Sequence, residues 1–145
     1  MSDDMDIRDA VRRHFAAPEY VYFEEVREAA GFGSRRSADL FAMNVWPSRG
    51  LGIHGVEIKA SRGDWLQEKR NPAKAEDGIY PFCDHWWLAV ADVKIVQAGE
   101  LPATWGLLAP RGGKLVVKVQ APKLEPKTVD REFLAALLKR AFQGA

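Results

Sequence analysis

The sequence holds one cysteine, Cys83, so no intramolecular disulfide can form. That fits a reducing compartment better than a secreted, disulfide-stapled domain. No apolar run approaches the ~20 residues that a membrane helix needs, so no membrane association is expected. The opening MSDDMDIRDA is acidic and has no apolar core, which argues against a signal peptide. Internal repeats, low-complexity tracts and interdomain linkers are absent. Cys83-Asp84-His85 is followed by no second cysteine and no metal-spaced histidine, so a zinc or thiol site is not expected there. GFGSRR, residues 31–36, has two glycines but no phosphate-loop spacing, and reads as a helix stop and turn.

What is present is enough for one ordinary core. The chain has 145 residues, 47% of them hydrophobic, and reads as a single domain over 1–145. The net charge is only +1, but its distribution is uneven. Acids crowd the first 28 positions, at Asp3, Asp4, Asp6, Asp9, Glu19, Glu24, Glu25 and Glu28. Between Leu101 and Leu124 there is no acid, while Arg111, Lys114, Lys118 and Lys123 are basic. Such asymmetry can be a footprint for phosphate or a solvated basic face.

Hydrophobic spacing gives the order of elements. DIRDAVRRHF (6–15) places Ile7, Val11 and Phe15 on one side of a helix. YVYFEEVREAAGFG (20–33) starts like a strand and continues like a helix. SADLFAMNVW (37–46) and GIHGVEIKA (52–60) read as strands around the turn at Pro47, Ser48 and Gly50, an antiparallel hairpin. Ser61 followed by Asp64 predicts a helix from about Arg62, interrupted at Asn71-Pro72. HWWLAVA (85–91) is a central strand; TWGLLAP and KLVVKVQAP are two more, joined at RGG. The last segment, 128–142, is an amphipathic helix capped by Thr128, with Leu134, Leu137, Leu138 and Ala141 as its stripe. The expected fold is α/β, a small central mixed sheet flanked by helices.

Within the second strand of the hairpin, Glu57 and Lys59 lie two apart and so project to one face, with Val56 and Ile58 on the other. A carboxylate on a half-desolvated strand needs a partner: a lysine, another base or a metal ion. Counting back from the turn sets Asp39 opposite residues near 57–60. Two converging carboxylates with open positions suit Mg²⁺ or Mn²⁺ and substrate phosphates. A nearby lysine can hold or deprotonate an attacking water. Taken alone, the same residues also read as an ordinary ion pair on an exposed strand.

Asp39, then Glu57-x-Lys59, on a hairpin with a helix before and after, resembles the PD-(D/E)XK nuclease superfamily. RRSADLFAM, GVEIKASRGDW, CDHWWLAV and LPATWGLL are similar to small bacterial and phage-borne proteins related to the MmcB-type DNA-repair group, over about residues 20–125. The residue before Asp39 is Ala38 rather than proline. The resemblance implies a PD-(D/E)XK core and a Mg²⁺- or Mn²⁺-dependent deoxyribonuclease. Asp39, Glu57 and the backbone carbonyl of Ile58 would bind the metal, and Lys59 would act on the water. Glu25 on a preceding helix is the implied extra acid, with Glu24 and Glu28 as rivals. DNA phosphates would meet Arg35, Arg36, Arg62 and Lys74, each of which singly also reads as a solvated charge. Lys74 is placed on the helix after Lys59, where members often carry a supporting polar residue. Homodimerisation and a cytoplasmic location, in a bacterial cell or phage-encoded, are further expectations. The alternative is a non-catalytic nucleic-acid-binding module of the same fold; a third is an interaction protein with a tryptophan-rich sheet.

Overall fold

A computed structural model describes residues 6–27, 37–70 and 79–143. Helix α1 (Ile7–His14) starts at Asp6, whose Oδ1 accepts the backbone N–H groups of Arg8 and Asp9 at 3.1 and 3.3 Å. Ile7, Val11 and Phe15 are buried, as their spacing requires. Strands β1 (Tyr20–Arg27), β2 (Ser37–Asn44) and β3 (Ile53–Lys59) follow, then α2 (Arg62–Lys69) and β4 (His85–Val90). The chain ends with β5 (Trp105–Arg111), β6 (Lys114–Val119) and α3 (Arg131–Gln143). No helix among the described residues is long and apolar enough to cross a membrane.

The six strands form one mixed sheet in sequence order. β1, β2 and β3 are an antiparallel meander; β3, β4 and β5 are parallel; β6 turns back antiparallel on β5. The parallel β3–β4 step requires a crossover, which carries α2. α1 covers one face, packing on Leu40, Ala42, Val56, Trp87 and Leu108. The other face carries Phe41, Trp86, Leu88, Val90 and Trp105, packed with Trp65 of α2 and Phe133 of α3. HWWLAV is central, with both faces covered, which is why it is apolar without alternation.

Three sequence expectations change. Glu25 and its rival Glu24, placed on a preceding helix by the resemblance, lie on strand β1, which runs to Arg27; pairing with β2 overrides the local helical preference. The cap of α3 is Asp130, whose Oδ1 accepts the Phe133 N–H at 2.8 Å, not Thr128. The buried face of α3 is set by Phe133, which stacks on Phe82 at 4.6 Å and meets Phe41 edge-on at 5.5 Å. Leu137 lies against the same core, while Leu134 and Leu138 stay 47% and 61% exposed.

Two glycines hold the sheet centre together. Trp86 and Trp87 point to opposite faces, and each ring lies over a glycine of a neighbouring strand. Gly55, opposite Trp86 in register, leaves room for that indole: a Cβ there would come within 2.2 Å of the ring. Gly106, opposite Trp87, does the same, with a Cβ reaching 2.6 Å from that ring and 2.6 Å from the backbone of Ala121. Both tryptophans are buried, so neither is open to stack on a base. Burying such rings contributes much of the core free energy.

Gly55→Ala and Gly106→Ala should each lower the unfolding free energy by about 1–3 kcal/mol or more through overpacking. Gly63→Ala on α2, where a Cβ meets nothing within 4 Å, should instead be neutral or stabilising. Urea denaturation of the three variants checks this ordering.

A pH dependence follows from His54. Its Nδ1 accepts the Trp87 indole N–H at 3.0 Å, and its ring stacks on His85 at 5.0 Å. Burial, reinforced by the neighbouring His85, lowers its pKa from 6.5 to about 4. The unfolded chain therefore takes up this proton first as pH falls. The stability associated with neutral His54 is intact above 6.5 and is lost as pH falls towards about 4. The loss should reach at most ~3 kcal/mol. His14, also lowered by burial, adds in the same direction. In His54→Gln, which keeps an acceptor for Trp87, the acid slope of urea midpoints should be shallower than in wild type.

Candidate functional site

The hairpin puts the expected residues at one level of the sheet. The β2–β3 ladder runs to Leu40↔Val56, and Asp39 and Glu57 are the next residues of the two strands beyond that pair. The ladder stops there. Asp39 Oδ2 accepts the backbone N–H of Ile58 at 2.8 Å, the position a carbonyl of β2 would otherwise fill. On its other side Asp39 faces Glu25 of β1, between the pairs Glu24↔Leu40 and Val26↔Ala38. Glu25 is exposed and has φ +54°, a left-handed backbone rarely adopted by a non-glycine residue. Such strain persists only where surrounding structure imposes it, and it is frequent at functional sites. Asp39 is thus released from regular pairing on both sides.

The side chains around it are paired. Asp39 Oδ1 lies 3.8 Å from Arg8 Nη2 on α1. Glu24, a rival of Glu25, is held by Arg12 at 2.7 Å. Glu57 is only 5% exposed and shares its face with Leu88 and Val90. Its Oε2 is 3.8 Å from Lys59 Nζ, and Lys59 reaches Glu68 Oε1 at 3.2 Å. Lys59 therefore bridges two nearly buried carboxylates, one on its own strand and one on α2. Burying three charges is tolerable only with such mutual compensation.

Glu68 and Arg8 lie beyond the residues that the sequence pattern singles out. Glu68 had a readable signal: Ser61 Oγ accepts the Asp64 N–H and fixes the start of α2. Trp65 turns inward, and Glu68, three residues on, shares its side of the helix. Lys74, expected as a supporting residue after Lys59, lies with Arg35, Arg36 and Glu28 outside the described residues. Arg8 gave no sequence signal.

Arg62, expected on DNA phosphates, is engaged elsewhere. Its guanidinium binds both oxygens of Glu100, with Nη2–Oε2 at 2.7 Å, and Nη1 also donates to the carbonyl of Ile95. Trp65 Nε1–H and the Gln97 N–H add to the same carboxylate at 3.3 and 2.8 Å. The Arg62 contact, above all, holds the Glu100 carboxyl well below the usual carboxylate range. The cause is topological: the crossover from β4 to β5 passes beneath the first turn of α2, and the pair ties the two together.

The Cys83-Asp84-His85 step is structural. Burial raises the Cys83 thiol. Asp84 Oδ2 accepts the Ile53 N–H and Oδ1 pairs with Lys123 at 2.9 Å. Among the described residues no group of three or more His, Cys, Asp and Glu side chains is arranged to hold a metal ion. The donor chemistry of Asp39 and Glu57 nonetheless fits a small hard cation, since Mg²⁺ is commonly held by one or two carboxylates, its remaining positions filled by water and substrate phosphate.

No protein-family model matches the chain, and no curated protein matches it. Among solved structures it is similar to a protein of unknown function from Silicibacter pomeroyi, at 23% identity and a TM-score of 0.66. The match covers 99% of this chain and 87% of that one. At this identity the likeness shows a shared α/β fold.

A double-mutant cycle should reveal coupling between Glu57 and Lys59. With Glu57→Gln, Lys59→Met and the pair, unfolding free energies should show an interaction of about 0.5–3 kcal/mol. Additive effects would mean that the lysine is compensated by Glu68 alone.

Proposed function

We propose that the protein is a Mg²⁺- or Mn²⁺-dependent nuclease of PD-(D/E)XK type that hydrolyses DNA phosphodiester bonds. One observation carries the reading: just beyond the last β2–β3 pair, Asp39 accepts the Ile58 N–H of β3, next to Glu57, which pairs with Lys59, on a hairpin between α1 and α2. The arrangement supports the expected order of helix, hairpin and helix around these residues. The mixed sheet, with β4 parallel to β3, is compatible with the same core.

Asp39, Glu57 and the Ile58 carbonyl would hold the cation, with Glu25 across from Asp39 as a further donor. The cation, when bound, supplies Lewis-acid stabilisation of phosphoryl charge and acidifies a bound water. Lys59 then orients the attacking water and offsets charge developing on the scissile phosphate. Glu68 fixes the lysine from α2, which keeps its ammonium at the level of Glu57. Arg8, whose Nη2 lies 3.8 Å from Asp39, would be placed to meet the substrate backbone beside that carboxylate. Water attacks in line: its oxygen forms the new P–O bond as the bond to the leaving oxygen breaks on the opposite side, and the proton the water loses is delivered through solvent to the leaving oxygen.

A second reading is a nucleic-acid-binding module without turnover. It is favoured by one observation: the carboxylates are already engaged by protein groups, Asp39 by Arg8 and the Ile58 N–H, and Glu57 by Lys59.

Cleavage of labelled single-stranded, duplex, flap and four-way-junction DNA with Mg²⁺, Mn²⁺ or EDTA separates the two. The nuclease reading expects metal-dependent cutting that falls at least ~100-fold in Lys59→Ala and Glu57→Gln, with both variants folded by circular dichroism. DNA binding with no cutting of any substrate would leave the non-catalytic module.

A further inference from the structure

We propose that a recess between α1 and β6, on the flank of α1 turned away from Asp39, is a binding site for a phosphate group. Its volume is about 340 Å³, and it is lined by Ala10, Arg13, His14, Lys114 and Leu115. That is at the small end of the roughly 300–1,000 Å³ typical of ligand pockets, ample for a phosphate and its water.

The case rests on an imbalance between the two sides of one helix. At ~100° per residue, Arg8 and Arg12 lie on one flank of α1, and Ala10, Arg13 and His14 lie towards the other. The first flank meets acids: Arg8 meets Asp39, and Arg12 meets Glu24 and Asp9. The second meets β6, in a stretch that contains no acid from Leu101 to Leu124. Neither Arg13 nor Lys114 forms an ion pair with a described residue. Basic side chains at a helix C-terminus answer the macrodipole, but that amounts to only about half an elementary charge. Arg12 already lies in the same last turn. Two further full cations around a recess are more than the helix requires.

The remaining groups suit an oxyanion. His14 is half-buried and lines the wall of the recess beside Leu115. Leu115 and Ala10 are buried and make an apolar floor, where a charge-assisted bond to phosphate is stronger than in open solvent. The phosphate can belong to a nucleic-acid backbone or to a free phosphorylated solute. The inference does not depend on the nuclease reading, because the recess shares no residue with Asp39, Glu57 or Lys59.

The experiment uses the full chain in EDTA, where cutting cannot interfere. Anisotropy of labelled single-stranded and duplex oligonucleotides is followed against salt, for wild type, Arg13→Gln/Lys114→Gln and the control Lys139→Gln/Arg140→Gln on α3. In parallel, inorganic phosphate is titrated while the His14 ring resonances are followed by NMR. The proposal expects the recess variant to keep its thermal midpoint but to bind oligonucleotides about tenfold more weakly. Its salt slope should drop by roughly 1–2, about 0.9 for each phosphate that is no longer neutralised. The control should change less than twofold. A His14 response to inorganic phosphate that the recess variant abolishes, with unchanged oligonucleotide affinity, would assign the site to a free phosphorylated solute. No His14 response and wild-type affinity in the recess variant would overturn the proposal. Loss of cutting in Lys59→Ala bears only on the nuclease reading, because that variant should bind phosphate at the recess normally.

Discussion

The contact of Trp86 with Gly55 sets the geometry on which the candidate site depends. Parallel strands have no tight turn to fix their register, so side-chain packing must do it. An indole lying in the notch above a glycine is such a device, because a one-residue slip would drive a Cβ into the ring. With Gly55 locked to Trp86, Glu57 must lie beside Leu88 and Lys59 beside Val90. Trp87 over Gly106 fixes the next strand from the opposite face. The indole N–H of Trp86 meets no acceptor among the described residues. An unpaired buried donor costs about 1–3 kcal/mol, which the packing of so large a ring can offset.

That register explains why three charges are held together near the core. Glu57 is forced among apolar neighbours by strand alternation, and no rotation of the strand can expose it without exposing Leu88 and Val90 as well. The carboxylate is instead compensated in place by Lys59, which is compensated in turn by Glu68. Replacing such a set by apolar side chains is often neutral or stabilising, so stability alone gives little reason for its presence. Asp39 adds to this. A regular β2 would pair its backbone with Ile58; here a side-chain carboxylate does so, and Glu25 on the neighbouring strand adopts φ +54°. Two departures from regular sheet structure thus lie at one level, beside a buried ion cluster.

Much of this geometry is legible in the residues themselves. The hairpin is marked by Pro47, Ser48 and Gly50 between two apolar runs, and its length sets Asp39 against Glu57 to within a few residues. The central strand is marked by HWWLAV. The errors share a cause: local pattern leaves phase undetermined where several positions are equally apolar. In α3, Leu134, Leu137 and Leu138 give overlapping stripes, and the choice is made by Phe133, whose fit between Phe41 and Phe82 is a tertiary fact. Residues 24–27 are locally compatible with helix and strand, and β2 decides between them. Arg62 looks like a free cation in the sequence because Glu100, 38 residues away, carries no local mark of being its partner.

The distribution of charge around α1 ties the two halves of the molecule together. The acids Glu24 and Asp39 and the acid-free stretch 101–124 are far apart in sequence, but α1 meets the first on one flank and β6 on the other. On the β1–β2 side, arginines and carboxylates cancel and hold α1 against the strands that carry Asp39. On the β6 side, burial of Val11 and Ala10 holds the helix, and Arg13 forms no ion pair with a described residue. A purely structural helix would have no need to leave one flank positive while neutralising the other. The field from that flank falls off over a Debye length of ~8–10 Å at ordinary salt. Arg8 and Arg13 are roughly 7–8 Å apart along the helix axis and lie on opposite flanks of a helix about 10–12 Å wide, so they are separated by more than a Debye length. The recess and Asp39 are therefore electrostatically distinct, and each can be removed without the other.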